Sequence, residues 1–366
     1  MARKLFIAAT GQHCGKTTIS LSLLHLARKK YARVGFIKPL GPKPTVFNGV
    51  VADKDAVLMA RILGQEDSIK LMSPLVLRSG DTQRVLRKEL DVAPMRAQIC
   101  AACAEMESKC DFLIIEGAGH CGVGSVLGIS NAQVAKMLDA PVLMISGGGV
   151  GSVIDSVYLN LSLFEREQVQ IRALLANKIM PEKREMVLDL LQLGFAQHPF
   201  SVLGGFNYQP ILANPTMRRI ASILNLEIQG DQDSVEKIVH HVQVCAASTQ
   251  RVTELLREST LAIVTSSRDE LLVTLSVLYQ MPEYRNRIAG LLIPGRQPIE
   301  KTTQQIIDRS NIPYMRTDKF STSDLYLKIN DDVSKITHED SEKIALVHEL
   351  AEKRFDFEAF EQQFFG

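Results

Sequence analysis

The chain opens with an apolar run, Lys4-Leu5-Phe6-Ile7-Ala8-Ala9, which breaks into Thr10-Gly11-Gln12-His13-Cys14-Gly15-Lys16-Thr17-Thr18 and resumes as a helical pattern from Ile19 to Ala27. Strand, glycine-bearing loop and helix in that order turn backbone N–H groups and the positive end of a helix toward an anion. Lys16 can then reach β- and γ-phosphates, and the Thr17 hydroxyl suits Mg²⁺. The loop therefore predicts a nucleoside triphosphate, with Gly11, Gln12, His13, Cys14, Gly15, Lys16, Thr17 and Thr18 as its candidate contacts. Thr10 stands where the usual G-x-x-x-x-G-K-[ST] pattern has glycine. No lysine precedes Lys16 in the loop, so the variant that lends a second lysine to a partner subunit is not indicated.

Strand and helix patterns alternate for some two hundred residues after this start. Arg33 to Ile37 reads as a strand ending at Lys38-Pro39, Asp53 to Leu63 as a helix, and Asp111 to Ile115 as an apolar strand ending in Glu116-Gly117-Ala118-Gly119. A helix at Asn131 to Leu138, a strand at Pro141 to Ser146, a helix from Ser152 to Arg166 and a strand at Arg172 to Ala176 follow. Apolar strands separated by helices imply a parallel sheet covered on both faces, with ligands at the carboxyl ends of its strands.

The polar residues collect at those carboxyl ends. Glu116 is expected to hold Mg²⁺, because a glycine-rich turn rather than a helix follows it and leaves it nothing to cap. Asp55 is either a second metal carboxylate or a charge at a helix start. Asn177, before Lys178, has the donor and acceptor pair that reads adenine.

Length and charge bound the rest. The 366 residues suggest two domains, and 42 Lys plus Arg against 41 Asp plus Glu offer no field toward nucleic acid or a membrane. No apolar run reaches the roughly 18 residues of a membrane helix, and the first residues enter a strand directly, so a cytoplasmic protein is expected. Of the six cysteines, Cys100 and Cys103 have C-x-x-C spacing but lie in a helical pattern, Ala97 to Met106, without a second ligand pair, and read as core. Cys14 and Cys121 fall in glycine-rich loops, where a small tolerated residue competes with an oxidation-sensitive one. Cys245 has no glycines around it to make a nucleophile turn, so no glutamine amidotransferase is indicated.

The loop Ala9 to Thr18, Lys38-Pro39, Asp55-Ala56, Glu116 to Gly119 and Ala176-Asn177-Lys178 together resemble, in order and spacing, dethiobiotin synthetase and the cobyrinic acid a,c-diamide synthases. The resemblance implies Mg-ATP held by the loop with Asp55 and Glu116, adenine contacted by Asn177, and charge on a reacting carboxylate or carbamate stabilised by Lys38. Lys16 and Lys38 are the candidate catalytic residues. Gln12, His13 and Gly41-Pro42-Lys43-Pro44 depart from the residues expected for the synthetase substrate.

From Asn214-Pro215 onward, the strands Leu261 to Thr265 and Ile288 to Ile293 with Ile312-Pro313-Tyr314 look like the small α/β DRTGG domain. In its signature loop Arg268 is present, but acidic and apolar residues follow where threonine and glycines belong. The whole resembles the N-terminal half of long-form phosphate acetyltransferase. The expected architecture is thus α/β: a phosphate-loop parallel sheet with helices on both faces over residues 1–212, a smaller DRTGG-like α/β domain over 213–330, and a helical tail over 331–366. The tail is expected to close over the second domain or a partner. Because the acetyl-transferring part of that family would follow this module, acetyl transfer is not expected.

Two readings of function stay open: an ATP-binding regulator or sensor with slow Mg-dependent hydrolysis, associating as a homodimer or with a metabolic enzyme, and an ATP-dependent ligase of a small carboxylate, carbamate or amide.

Overall fold

The structure, a computed structural model, describes residues 2–332, 336–338 and 340–366. It divides into two compact units, one made of Met1–Gln209 with Ile336–Gly366 and the other of Pro210–Lys335.

In the first unit the chain runs through β1 (Arg3–Ala9), α1 (Lys16–Lys30), β2 (Val34–Ile37), the hairpin strands β3 (Pro44–Phe47) and β4 (Val50–Asp53), α2 (Lys54–Leu63) and α3 (Ala93–Lys109). It continues through β5 (Phe112–Glu116), α4 (Asn131–Met137), β6 (Val142–Ser146), α5 (Gly151–Arg166), β7 (Ile171–Ala176), α6 (Arg184–Gly194) and β8 (Ser201–Gly204). Six strands form one sheet in the order β8-β7-β6-β1-β5-β2, and every pair is parallel. Every residue of β2, β5 and β6 is buried, which is why these strands read as continuous apolar runs rather than alternating ones. The step from β1 to β2 runs opposite to all later crossovers, so right-handed connections put α1 on one face and α3 to α6 on the other. The expected α/β architecture is the observed one.

The second unit carries α7 (Met217–Leu224), β9 (His241–Val244), β10 (Thr260–Ile263), α8 (Asp269–Tyr279), β11 (Ile288–Pro294), α9 (Lys301–Ser310), β12 (Tyr314–Thr317) and α10 (Thr322–Asp332). Its four strands are parallel in sequence order. Alternate residues feed two cores: Leu261, Ile263 and Leu292 pack with Met217, Ile220 and Leu325, whereas Ala262, Val264, Leu291 and Ile293 pack with Leu271, Leu275 and Ile307. Gly290 has no room for a side chain, since a Cβ there would lie 2.5 Å from Met217 Cε of α7 and 2.6 Å from the Pro313 carbonyl oxygen.

The final helices, α11 (Ser341–Arg354) and α12 (Phe357–Phe365), correct the expectation for the tail. They belong to the first unit and pack on α1. The His348 ring stacks on His25 with centroids 3.9 Å apart, and Glu352 pairs with His25 at 2.7 Å and Lys29 at 2.6 Å. Phe357 and Phe365 cover Phe112, while buried Glu361 receives Arg3 at 3.0 Å, Lys30 at 2.5 Å and the Tyr31 hydroxyl. The cause is charge as well as apolar area: α1 ends in Arg28, Lys29 and Lys30, and the tail brings the carboxylates that match them.

Candidate nucleotide and metal site

Four strand ends converge on the site, because in a parallel sheet all carboxyl termini share one edge. β1 delivers the loop Thr10 to Gly15, β2 delivers Lys38, β5 ends in Glu116, and β7 runs into Asn177. Gly15 is the N-cap of α1 at φ +99° and has no side chain to bond the first-turn N–H groups. A Cβ there would come within 2.3 Å of Asn177 Nδ2, so both the backbone angle and the crowding require glycine. His13 also adopts a positive φ, 58°, and with Gln12 is exposed, while Gly11, Cys14, Thr17 and Thr18 are half-buried.

Lys16 is buried at the first position of α1, and its Nζ donates to the Gly119 carbonyl at 2.7 Å and the Gly11 carbonyl at 3.3 Å. Burial and the nearby Lys38 charge hold Lys16 below the ordinary lysine range. Glu116 is fully buried. Its Oε1 accepts from Lys38 Nζ at 2.7 Å and the Thr17 hydroxyl at 3.2 Å, and its Oε2 accepts from the Ser20 hydroxyl at 2.7 Å. Lys38 Nζ also meets Asp55 Oδ2 at 3.0 Å and the Gly117 carbonyl at 3.2 Å. Burial works against the Lys38 charge, but Glu116, Asp55 and Asp53 outweigh it and hold the ammonium above its ordinary value. The structure thus brings Thr17, Asp55, Glu116 and Lys38 into one cluster. Asp55 stands in the first turn of α2, as its helix-start reading expects, and it meets the same ammonium as Glu116.

Asn177 is buried, with Nδ2 donating to the Cys14 carbonyl at 2.9 Å and Oδ1 accepting the Phe206 N–H at 3.0 Å. It therefore fastens the phosphate loop to the end of the sheet and keeps one N–H and one lone pair in reserve. Cys121 is no oxidation-prone residue: it is fully buried, and burial pushes its thiol up to about 12. Cys103 is likewise buried, in α3, with its thiol pushed up to about 12 by burial and Glu107.

Residues not anticipated from sequence build the frame. Asp53 caps α2 by accepting the Asp55 N–H at 2.9 Å, and its other oxygen accepts the Lys43 N–H at 3.0 Å, so it sets the base of the hairpin and the position of Asp55. Asn131 clamps the loop after β5 through Ala118 N–H, Ala118 carbonyl and His120 carbonyl at 3.0, 2.8 and 2.9 Å. Asn160 joins that loop to the phosphate loop, accepting the Cys121 N–H at 3.1 Å and donating to the Thr10 carbonyl at 3.1 Å. The Asp at a helix start was readable as a cap. Asn131 and Asn160 lie inside helical patterns, where sequence offers no signal of what they reach.

In the second unit Arg268 stands before α8 and donates to the Ala247 carbonyl at 2.9 Å and the Ala246 carbonyl at 3.4 Å, with Glu270 as its ion-pair partner at 2.5 Å. It ties the loops after β9 and β10 together.

The AAA_26 family model, an AAA domain, matches residues 3–228. The chain belongs to this family. The DRTGG domain model matches residues 219–328 of this AAA_26 member. Phosphate acetyltransferase of Synechocystis sp. is 23% identical over 313 residues, covering 84% of this chain and 44% of the relative. The ATP-dependent dethiobiotin synthetase BioD of Aromatoleum aromaticum is 24% identical over 179 residues, covering 49% of this chain and 79% of the relative. Among solved structures, apo McdA of Cyanothece is similar at 12% identity and a TM-score of 0.37, covering 57% of this chain and 88% of that one. The chain spans less than half the length of the first phosphate acetyltransferases it matches, 44% and 41%. The family models and the phosphate acetyltransferase and BioD relatives agree with the resemblance drawn from the motifs, an N-terminal half of phosphate acetyltransferase. Among the described residues no helix is long and apolar enough to cross a membrane.

Proposed function

We propose that this protein binds Mg-ATP at the loop from Gly11 to Thr18, hydrolyses it slowly, and works as a cytoplasmic regulator or sensor whose second unit associates with a second copy or a metabolic enzyme. The observation that carries the reading is the convergence of Lys16, Thr17, Asp55, Glu116 and Lys38 at one edge of the sheet. The N–H groups of the loop and first turn of α1 take the phosphates, Lys16 leaves the Gly119 carbonyl for the β- and γ-phosphates, and Asn177 offers adenine its remaining N–H and lone pair. Thr17 and Asp55 are both linked to Glu116, the first by a hydrogen bond and the second through Lys38, and the three offer the hard oxygen donors that Mg²⁺ requires. When bound, the metal neutralises charge on the phosphoryl oxygens.

A second reading, an ATP-dependent ligase of a small carboxylate, carbamate or amide, draws on Lys38. A buried ammonium at the end of β2, beside the candidate metal carboxylates, suits a charged acyl group as well as it suits the acids.

The test is calorimetry with Mg-ATP on the wild type and Lys16→Ala. Affinity should fall by about tenfold or more, since a charge-assisted contact is removed, with the circular dichroism unchanged. Equal affinity in both would end the nucleotide reading. Purification of the untagged protein with its bound partners separates the two functions: a stoichiometric enzyme supports regulation, a bound small carboxylate supports ligation.

A further inference from the structure

We propose that Lys38 makes Mg²⁺ entry conditional on nucleotide, because its ammonium holds the carboxylate oxygens of Asp55 and Glu116 to which the ion would bind. The inference rests on the Mg-nucleotide reading above and adds an order of binding to it.

The geometry is specific. Lys38 Nζ lies 2.7 Å from Glu116 Oε1 and 3.0 Å from Asp55 Oδ2, with the Lys38 side chain 3% exposed and that of Glu116 fully buried. Glu116 Oε1 is also the oxygen that the Thr17 hydroxyl meets, so Lys38 joins the two candidate metal carboxylates and shares one of their oxygens with Thr17. Mg²⁺ binds oxygen at about 2.0–2.1 Å in a strict octahedron, which an ammonium on the same oxygens obstructs. Charge argues the same way. A divalent ion on the oxygens that Lys38 holds would stand against a buried ammonium only a few ångströms away, and the two cations repel in a site with little water to screen them. Removing charges from water without a balancing partner is costly. A triphosphate restores the balance, since its negative oxygens both ligate the ion and give Lys38 a new partner. Lys16, tied to the Gly119 carbonyl on the loop that follows Glu116, adds another positive charge nearby and strengthens the same bias.

The mechanism makes Lys38 a specificity-determining residue for the metal. Free Mg²⁺ is refused, and Mg²⁺ that arrives with phosphate is accepted, so nucleotide-free protein does not lock its acids onto the ion.

The experiment is calorimetric titration of MgCl₂ into the full chain, without nucleotide and after saturation with a non-hydrolysable ATP analogue. The wild type should take up Mg²⁺ at least about tenfold more tightly with the analogue, and Lys38→Met and Lys38→Gln should bind Mg²⁺ alone at least about tenfold more tightly than the wild type. Lys38→Gln keeps amide donors for the two acids and so guards against a fold lost to repulsion. Adding Glu116→Gln to either variant should remove the gain. Natively folded variants with no gain overturn the proposal. A wild type that binds Mg-nucleotide but takes Mg²⁺ alone equally tightly also overturns it, while leaving the functional reading intact. A wild type that ignores the analogue removes that reading and the order of binding with it.

Discussion

Acid should loosen the contact of α11 with α1 before it unfolds the sheet, and His348 is the group that decides this. Burial pulls its ring down from 6.5 to about 4, helped by the charges of His25, Arg28 and Lys29 and opposed by Glu352. A folded value below the unfolded one means that the unfolded chain binds the extra proton first. The contribution is therefore fully present above about pH 6.5 and is lost as the pH falls toward 4. At about 1.4 kcal/mol per tenfold change in proton affinity the full shift would carry roughly 3 kcal/mol. The ring is partly open to solvent, so about half of that, on the order of 1–2 kcal/mol, is expected. The neighbouring Glu352, held down at about 2 by Lys29 and His25, stays charged through this window. His348→Phe keeps a ring to stack on His25 and removes the proton. Urea unfolding at about pH 7.5 and about pH 4.5 should show the wild type losing about 1–2 kcal/mol more than the variant across that interval. Amide exchange over residues 341–366 should rise in the wild type first. Equal losses in the two proteins would show that the stacked pair does not hold the tail.

The phosphate loop should be intolerant of a single methyl group: Gly15→Ala forces a left-handed backbone, at about 1–2 kcal/mol, and crowds Asn177, with about 1 kcal/mol for each of its two hydrogen bonds disturbed. A loss of about 2–4 kcal/mol in urea unfolding is expected, and a variant as stable as the wild type would contradict the close approach. Glu116→Gln should reduce Mg-dependent hydrolysis by about tenfold or more while changing the affinity for Mg-free nucleotide far less; unchanged turnover at limiting Mg²⁺ would return Glu116 to a structural role. The second unit, expressed as residues 210–335, should fold on its own because both of its cores are internal to it, and sedimentation should report a dimer. A strictly monomeric fragment at high concentration would remove the association role and shift weight to the ligase.

The main sheet was legible because its strands are buried on both faces and leave unbroken apolar runs, whose ends then expose the polar residues that chemistry needs. Glu116 could be found from that punctuation; Lys38 and Asn177 were marked by it as strand ends and took their roles from the resemblance. The edge strand β8 could not: it has one exposed and three half-buried residues and so lacks the apolar run that marks its neighbours. The hairpin of β3 and β4 was hidden in a different way, since its Gly-Pro-Lys-Pro start reads as a loop, and only the pairing of Thr45 with Ala52 and Val46 with Val51 makes it a strand pair. The tail shows the limit most clearly. Its helices and phenylalanines were visible in the sequence, but the surface they cover is set by partners more than three hundred residues away, Arg3, Lys30 and His25 among them. Helical periodicity tells that a face must be buried and says nothing of where. Here the answer is the helix that carries Lys16, so the segment that was hardest to place from sequence packs against the element that was easiest, and the stability of that helix is tied to a contact no local pattern records.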